Sequence, residues 1–211
     1  MFKFFSYVRE RFYDLLASIY LFNERQGYTY LEKLADGFEK VFPEATPMHR
    51  SIRNHIRDEK KHYQMFRSYF SHNKRAPFQV GGNVGYCNLL VQQVLKKSLI
   101  ELDPEVVLKD KKNIVQICRL IMVTERRGMV QVEKLLKMRL IRSHPLLFSI
   151  FSTVHRDEPS HHLPYEEWLN AQSESLVHWH ENLADILVHY RLIFWRLPVM
   201  YFNFRLKRDP L

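Results

Sequence analysis

Cysteine and glycine are scarce in this chain: its 211 residues include two cysteines, Cys87 and Cys118, and six glycines. The two cysteines have neither metal-binding spacing nor the makings of a disulfide framework, and no CxxC pair exists for a rubredoxin-type electron-transfer centre. A reducing cytoplasm is therefore the expected compartment. Few strand-like alternations accompany the low glycine content. There is no stretch of roughly 18 uncharged apolar residues, so a conventional membrane span is not expected. The opening MFKFFSYVRERFYDLL carries an acid at Glu10 and no small-residue cleavage site, which argues against a signal peptide.

Apolar side chains are plentiful. They make up 46% of the chain, with 15 phenylalanines, enough for a single domain spanning residues 1–211 to bury a core. The formal charge of +9 suits an anionic partner, either nucleic acid or an anionic membrane surface, although a small basic enzyme without such a partner carries similar charge.

Helical periodicity runs almost throughout and predicts an all-α fold. A first helix is expected from about Phe5 to Val41, ending near Pro43. Thr46-Pro47 reads as a cap and first-turn proline opening a second helix to about Phe70. Residues 71–104, with Pro77, Gly81, Gly82 and Gly85, read as a crossover containing the amphipathic segment CNLLVQQVLKKSLIEL. A third helix should start beyond Asp103-Pro104 and reach about Arg142. Ser143 to Pro145 is the next turn, and a fourth helix follows to the region of Pro159. After Pro164 a final helix, YEEWLNAQSESLVHWHENLADILVHYRLIFWRL, opens a C-terminal extension over 165–211.

Two motifs occur twice. LFNERQGYTYLEKL matches IMVTERRGMVQVEKL, setting Glu24 opposite Glu125; RDEKKH matches RDEPSH, setting Glu59 and His62 opposite Glu158 and His161. Glu and His three residues apart share one helix face. The separations Glu24–Glu59 and Glu125–Glu158 are nearly equal, so each hairpin brings a mid-helix glutamate level with a Glu-x-x-His on its partner. One Glu-x-x-His alone is usually a solvated pair; a duplicated set of six points to metal. Four carboxylates and two imidazoles in one layer are the ligands expected for two iron or manganese ions, and that many unpaired buried carboxylates would be prohibitively costly without them. Asp58 and Asp157 are placed to orient the ligand histidines, with surface charge as the competing role. Arg57 and Arg156 also repeat and suit pairing with acids. Pro159 directly follows Glu158 and should kink the helix there. If that helix unwinds, His162 becomes a further ligand, whereas His55 and His155 are expected behind the ligands or at the surface.

These six residues resemble the pattern of the ferritin-like di-iron carboxylate superfamily, which includes rubrerythrin, bacterioferritin and several di-iron hydroxylases. The resemblance covers roughly residues 10 to 165 and implies a four-helix bundle of duplicated hairpins. It assigns Glu24 and Glu125 as single ligands, Glu59 and Glu158 as shared carboxylates, and His62 and His161 as terminal imidazoles. It also implies two iron ions, manganese being the alternative, with dioxygen as co-substrate. The four glutamates would then be catalytic, and Tyr28, one turn after Glu24, would assist by donating to oxygen or carrying an electron; a core tyrosine is the plainer role for it.

The long C-terminal segment argues against a storage cage, which leaves an organic substrate as the better use of the irons. The function expected is that of a non-haem di-iron oxidase or monooxygenase acting on a lipid, quinone or other apolar membrane-linked molecule, supplied by an electron-donor protein. An iron-oxidising protein without organic substrate and a transfer RNA hydroxylase are the alternatives. The tail interleaves Arg191, Arg196, Arg205, Lys207 and Arg208 with Phe194, Trp195, Tyr201, Phe202 and Phe204. Such a segment packs against the aromatic first helix, lies in a bilayer interface or stacks on RNA. An anionic membrane surface is thus an expected partner ahead of RNA, with a peripheral position on the inner membrane face; a homodimer is a further expectation.

Overall fold

The computed structural model describes residues 2–82, 84–97, 101 and 109–209. Its helices are α1 (Phe2–Val41), α2 (Thr46–His72), α3 (Tyr86–Leu95), α4 (Lys111–Lys137), α5 (Arg139–Arg142), α6 (Pro145–Ala171), α7 (Trp179–Arg191), a π-helical turn at Leu192–Arg196, and α8 (Leu197–Phe202). The described residues form no strand beyond an isolated bridge between Phe78 and Arg208.

Local chemistry places most ends near where the sequence puts them. Pro47 lies in the first turn of α2, and Asp110 caps α4 by accepting from the Lys112 N–H. The expected start of the third helix at 103–104 lies outside the described residues. One expectation is corrected: the fourth helix does not end near Pro159, nor does another begin after Pro164, because α6 runs through both prolines to Ala171. Each proline removes only one backbone N–H from the ladder, and burial of Glu158, His161, Tyr165, Trp168 and Leu169 along one face holds the helix together. The break falls later, where Ser173 adopts a left-handed conformation (φ 57°), and α7 starts with Glu181 accepting from the His178 N–H at 3.0 Å.

α1 packs along α2, α4 along α6, and α2 against α6. The core along these helices is interrupted at one level. On α2, Met48, Ile52 and Ile56 belong to one apolar cluster and Phe66, Tyr69 and Phe70 to a second, with Glu59 and His62 between them. On α6 the order reverses: Leu147, Ile150, Phe151 and Val154 lie in the second cluster, Tyr165, Trp168 and Leu169 in the first, and Glu158 and His161 fall between. This reversal is the signature of neighbouring helices running in opposite directions. It brings four polar positions to one level.

The C-terminal helices are fastened by buried charge. Arg119 of α4 pairs through Nε with Glu181 of α7 at 2.7 Å, the glutamate being fully buried, and Arg127 pairs with Asp185, which also accepts from the Tyr86 hydroxyl. Arg11 donates to the carbonyls of Tyr201 (2.7 Å) and Asn203 (2.6 Å), and Phe204 stacks on Tyr7, so part of the tail packs on the start of α1. Removing one member of a buried pair leaves the other charge stranded: Glu181→Ala should cost about 3–5 kcal/mol. Glu39→Ala, which breaks the exposed pair with Arg53, should cost roughly 1 kcal/mol or less. Urea unfolding of the two variants checks this; equal midpoints would contradict it.

Candidate metal centre

The polar layer gathers side chains from four helices. Glu24 comes from α1, Glu59 and His62 from α2, Glu125 from α4, and Glu158 and His161 from α6; of these, only Glu125 is more than marginally accessible. His62 Nδ1 lies 3.4 Å from Glu24 Oε2 and 3.8 Å from Glu59 Oε1. His161 Nδ1 lies 3.6 Å from Glu59 Oε1, 3.9 Å from Glu125 Oε2 and 3.8 Å from Glu158 Oε2. Two groups of side chains able to hold a metal ion result: Glu24, Glu59 and His62 form one, and His55, Glu59, Glu125 and His161 the other. Glu59 is common to both. Glu158 belongs to neither group but adjoins the second through His161.

The aspartates act crosswise. His62 Nε2 faces Asp157 Oδ2 at 3.0 Å, and His161 Nε2 faces Asp58 Oδ2 at 3.7 Å, so each motif's aspartate addresses the other motif's histidine. Lys61 ties them together, with Nζ 2.7 Å from Asp157 and 3.0 Å from Asp58. His62 Nε2 is thereby engaged, whereas His161 Nε2 is buried without a hydrogen-bond partner among the described residues; both Nδ1 atoms face the carboxylates. Arg57 and Arg156 each approach the aspartate that follows them, at 4.0 and 3.5 Å, from exposed positions.

Electrostatics record the strain of the cluster. Burial, then the charge of Glu24, pushes the Glu59 carboxyl up to about 7. Burial also holds Glu125 and Glu158 well above the usual carboxylate range, reinforced for Glu125 by Glu158 and for Glu158 by Glu59. Burial works against a charged His62, but the facing Glu24 and Glu59 carboxylates outweigh it and raise that imidazole to about 11. Burial lowers His161. The residues fit a metal: Glu24 Oε2 and His62 Nδ1, 3.4 Å apart, and Glu158 Oε2 and His161 Nδ1, 3.8 Å apart, are buried and have no hydrogen-bond partner among the described residues. Carboxylate oxygens with imidazole nitrogens suit iron or manganese.

Other expected positions fall outside this convergence. The Tyr28 ring meets Tyr63 edge-on at 5.8 Å, with the Lys60 ammonium 5.6 Å from its centroid, on the face of α1 turned toward α2. His162 turns its Nδ1 to the Glu158 carbonyl oxygen at 3.1 Å within an unbroken helix, and His155 joins neither metal-holding group. Cys87 stays a thiol, pushed up to about 12 by burial and then by Glu125.

The glycines of NERQG and TERRG acquire a purpose here. A Cβ at Gly27 would come within 2.6 Å of Glu59 Oε2, and one at Gly128 within 3.5 Å of Glu158 Oε1. Each repeat therefore supplies a glutamate to the layer and, one turn on, a glycine beside the partner helix's glutamate, tight at Gly27 and ordinary contact at Gly128. The repeated spacing Glu-x-x-Gly is visible in the sequence beside the repeated Glu-x-x-His.

A cavity of about 300 Å³ opens on this layer. It reaches all four glutamates and is lined by Leu16, Ile19 and Leu31 of α1, Ile121 and Leu135 of α4, and Leu192, Ile193 and Leu197 around the π-helical turn. Comparison with protein-family models finds no match, and comparisons with curated proteins and with solved structures likewise find none.

The two glycines make different demands. Gly27→Ala should keep or slightly raise metal-free stability, because alanine favours helix by up to about 1 kcal/mol. By displacing the Glu59 carboxylate it should weaken metal binding about tenfold or more. Gly128→Ala meets only ordinary contact and should bind nearly as the parent does. Isothermal titration with Fe(II) or Mn(II) distinguishes them; equal losses would contradict this placement of Glu59.

Proposed function

We propose that this chain is a ferritin-like four-helix bundle of two duplicated hairpins, whose polar layer holds two iron ions and uses dioxygen to hydroxylate an apolar substrate. The observation that carries this reading is the apolar cavity ending on the four glutamates. A storage or purely structural site has no use for an apolar approach of that kind.

Bound iron would supply the redox chemistry, activating dioxygen with electrons from a donor protein. Overall, a C–H bond, dioxygen, two electrons and two protons become an alcohol and water. The chain's own part is positioning and exclusion. Glu24 and His62 would hold one ion and Glu125 and His161 the other, with Glu59 within reach of both groups and Glu158 adjoining His161. Asp157 fixes the His62 imidazole, and Asp58 lies 3.7 Å from His161 Nε2 on the far side of that ring. The carboxylates face the cavity, while Leu16, Ile19, Ile121 and Leu192 keep bulk water from it and orient an apolar chain or ring.

The cavity wall favours a membrane-linked substrate over RNA. Pro198 has no N–H to give to a preceding carbonyl, and the turn before it widens into the π-helix, where the Leu197 N–H donates to the Leu192 carbonyl. Leu192 and Leu197 thereby both face the cavity, while the neighbouring Phe194 and Trp195 stand about two-thirds exposed beside Arg191. α7 continues that exposed apolar face with Trp179, Leu183, Leu187 and Tyr190. An aromatic and basic rim of this sort suits a bilayer interface.

Reduced, iron-loaded protein given oxygen and a lipid extract should yield a product heavier by one oxygen atom, detected by mass spectrometry. Growth of a many-iron mineral core with no altered organic compound would contradict the proposal. Oxygen added to RNA instead of lipid would overturn the substrate class.

A further inference from the structure

We propose that His55 is a seventh ligand of the centre, placed on the ion held by Glu125 and His161, so that the two metal positions are chemically unequal. The proposal rests on the metal-binding reading above and adds a residue that the duplicated motif does not contain.

His55 lies one turn before Glu59 on the same face of α2. Its side chain is 1% exposed, and Nε2 stands 3.8 Å from Glu59 Oε1 and 3.8 Å from Glu125 Oε1. That nitrogen has no hydrogen-bond partner among the described residues. The other nitrogen is held: Nδ1 lies 3.3 Å from the Tyr165 hydroxyl oxygen. The ring stacks on His161 with centroids 4.1 Å apart, which carries Nε2 to the same side as His161 Nδ1. An imidazole whose Nδ1–H is fixed by an acceptor presents a lone pair at Nε2, the arrangement found for metal-ligating histidines. A histidine serving only as core filler would leave that buried lone pair unsatisfied, which is costly.

The duplication itself separates a ligand from a filler. Aligning RDEKKH with RDEPSH sets His55 opposite Val154 and Phe66 opposite Tyr165. The polar pair His55–Tyr165 in one half of the site thus corresponds to the apolar pair Val154–Phe66 in the other, both members of which lie in the core beyond the layer. Both residues change together. A histidine and the tyrosine that orients it occur only beside Glu125 and His161, while the Glu24 and His62 position keeps a single imidazole. Two imidazoles on one ion and one on the other would give the irons different affinities.

The test uses the full chain, stripped of metal and titrated with Co(II), whose visible spectrum reports nitrogen and oxygen ligation. The parent should bind two ions with distinguishable affinities and spectra. His55→Ala should weaken one ion by about tenfold to a hundredfold, leaving the other within about twofold, and added imidazole should restore the lost spectrum; Tyr165→Phe should weaken the same ion about tenfold. The double variant His55→Val/Tyr165→Phe installs the apolar pair that the other half already accommodates, so it should fold and still show the single weakened ion. Both ions binding to that double variant as in the parent, with unchanged spectra, would overturn the proposal. If the parent takes up no Co(II), the metal centre itself falls, and the role of His55 with it.

Discussion

Four carboxylates brought to one level inside an apolar bundle constrain everything around them. Ionised and unpaired, they would cost far more than a domain's net stability. Burial raises the proton affinities of Glu59, Glu125 and Glu158, and the Glu24 and Glu59 carboxylates raise that of His62. Metal ions bound among them would compete with protons, coupling metal uptake to proton release and to folding stability. The surrounding devices serve this layer. Asp157 and Lys61 hold His62 with its Nδ1 inward, and Gly27 makes room for the Glu59 carboxylate of the neighbouring helix.

The C-terminal third has a different task. Burying Glu181 and Asp185 against Arg119 and Arg127 is an expensive way to attach a helix and contributes little net stability. It does fix the position of α7 relative to α4, and so the position of the π-helical turn that closes the cavity. Arg11 and Arg208 then clamp the tail, Arg208 reaching Asp14 at 2.7 Å. Rigid attachment at both ends leaves the exposed aromatic face between them beside the cavity wall. Part of the tail thus packs on α1, as one reading of the sequence expects, while Phe194, Trp195 and Phe202 remain outward.

Sequence made the layer legible because helical spacing and motif repetition are local properties: Glu-x-x-His shares a face whatever the tertiary context, and the Glu24–Glu59 and Glu125–Glu158 separations are nearly equal. The course of α6 through Pro159 and Pro164 was not legible, since proline's cost is local and the burial that overrides it is not. His55 escaped for the opposite reason. It breaks the repeat, and only the fold reveals that Tyr165, far along the chain, holds its second nitrogen. The cavity also depends on side chains from α1, α4 and the π-helical turn, whose convergence no linear pattern records.

The central claim is that this layer is a dinuclear metal centre. Anaerobic loading with Fe(II), removal of excess ion and metal analysis test it most directly. About two irons per chain are expected, and the Glu59→Ala/Glu158→Ala double variant, still folded by circular dichroism, should retain neither. Iron content near zero in the parent, or unchanged in the folded double variant, would contradict it.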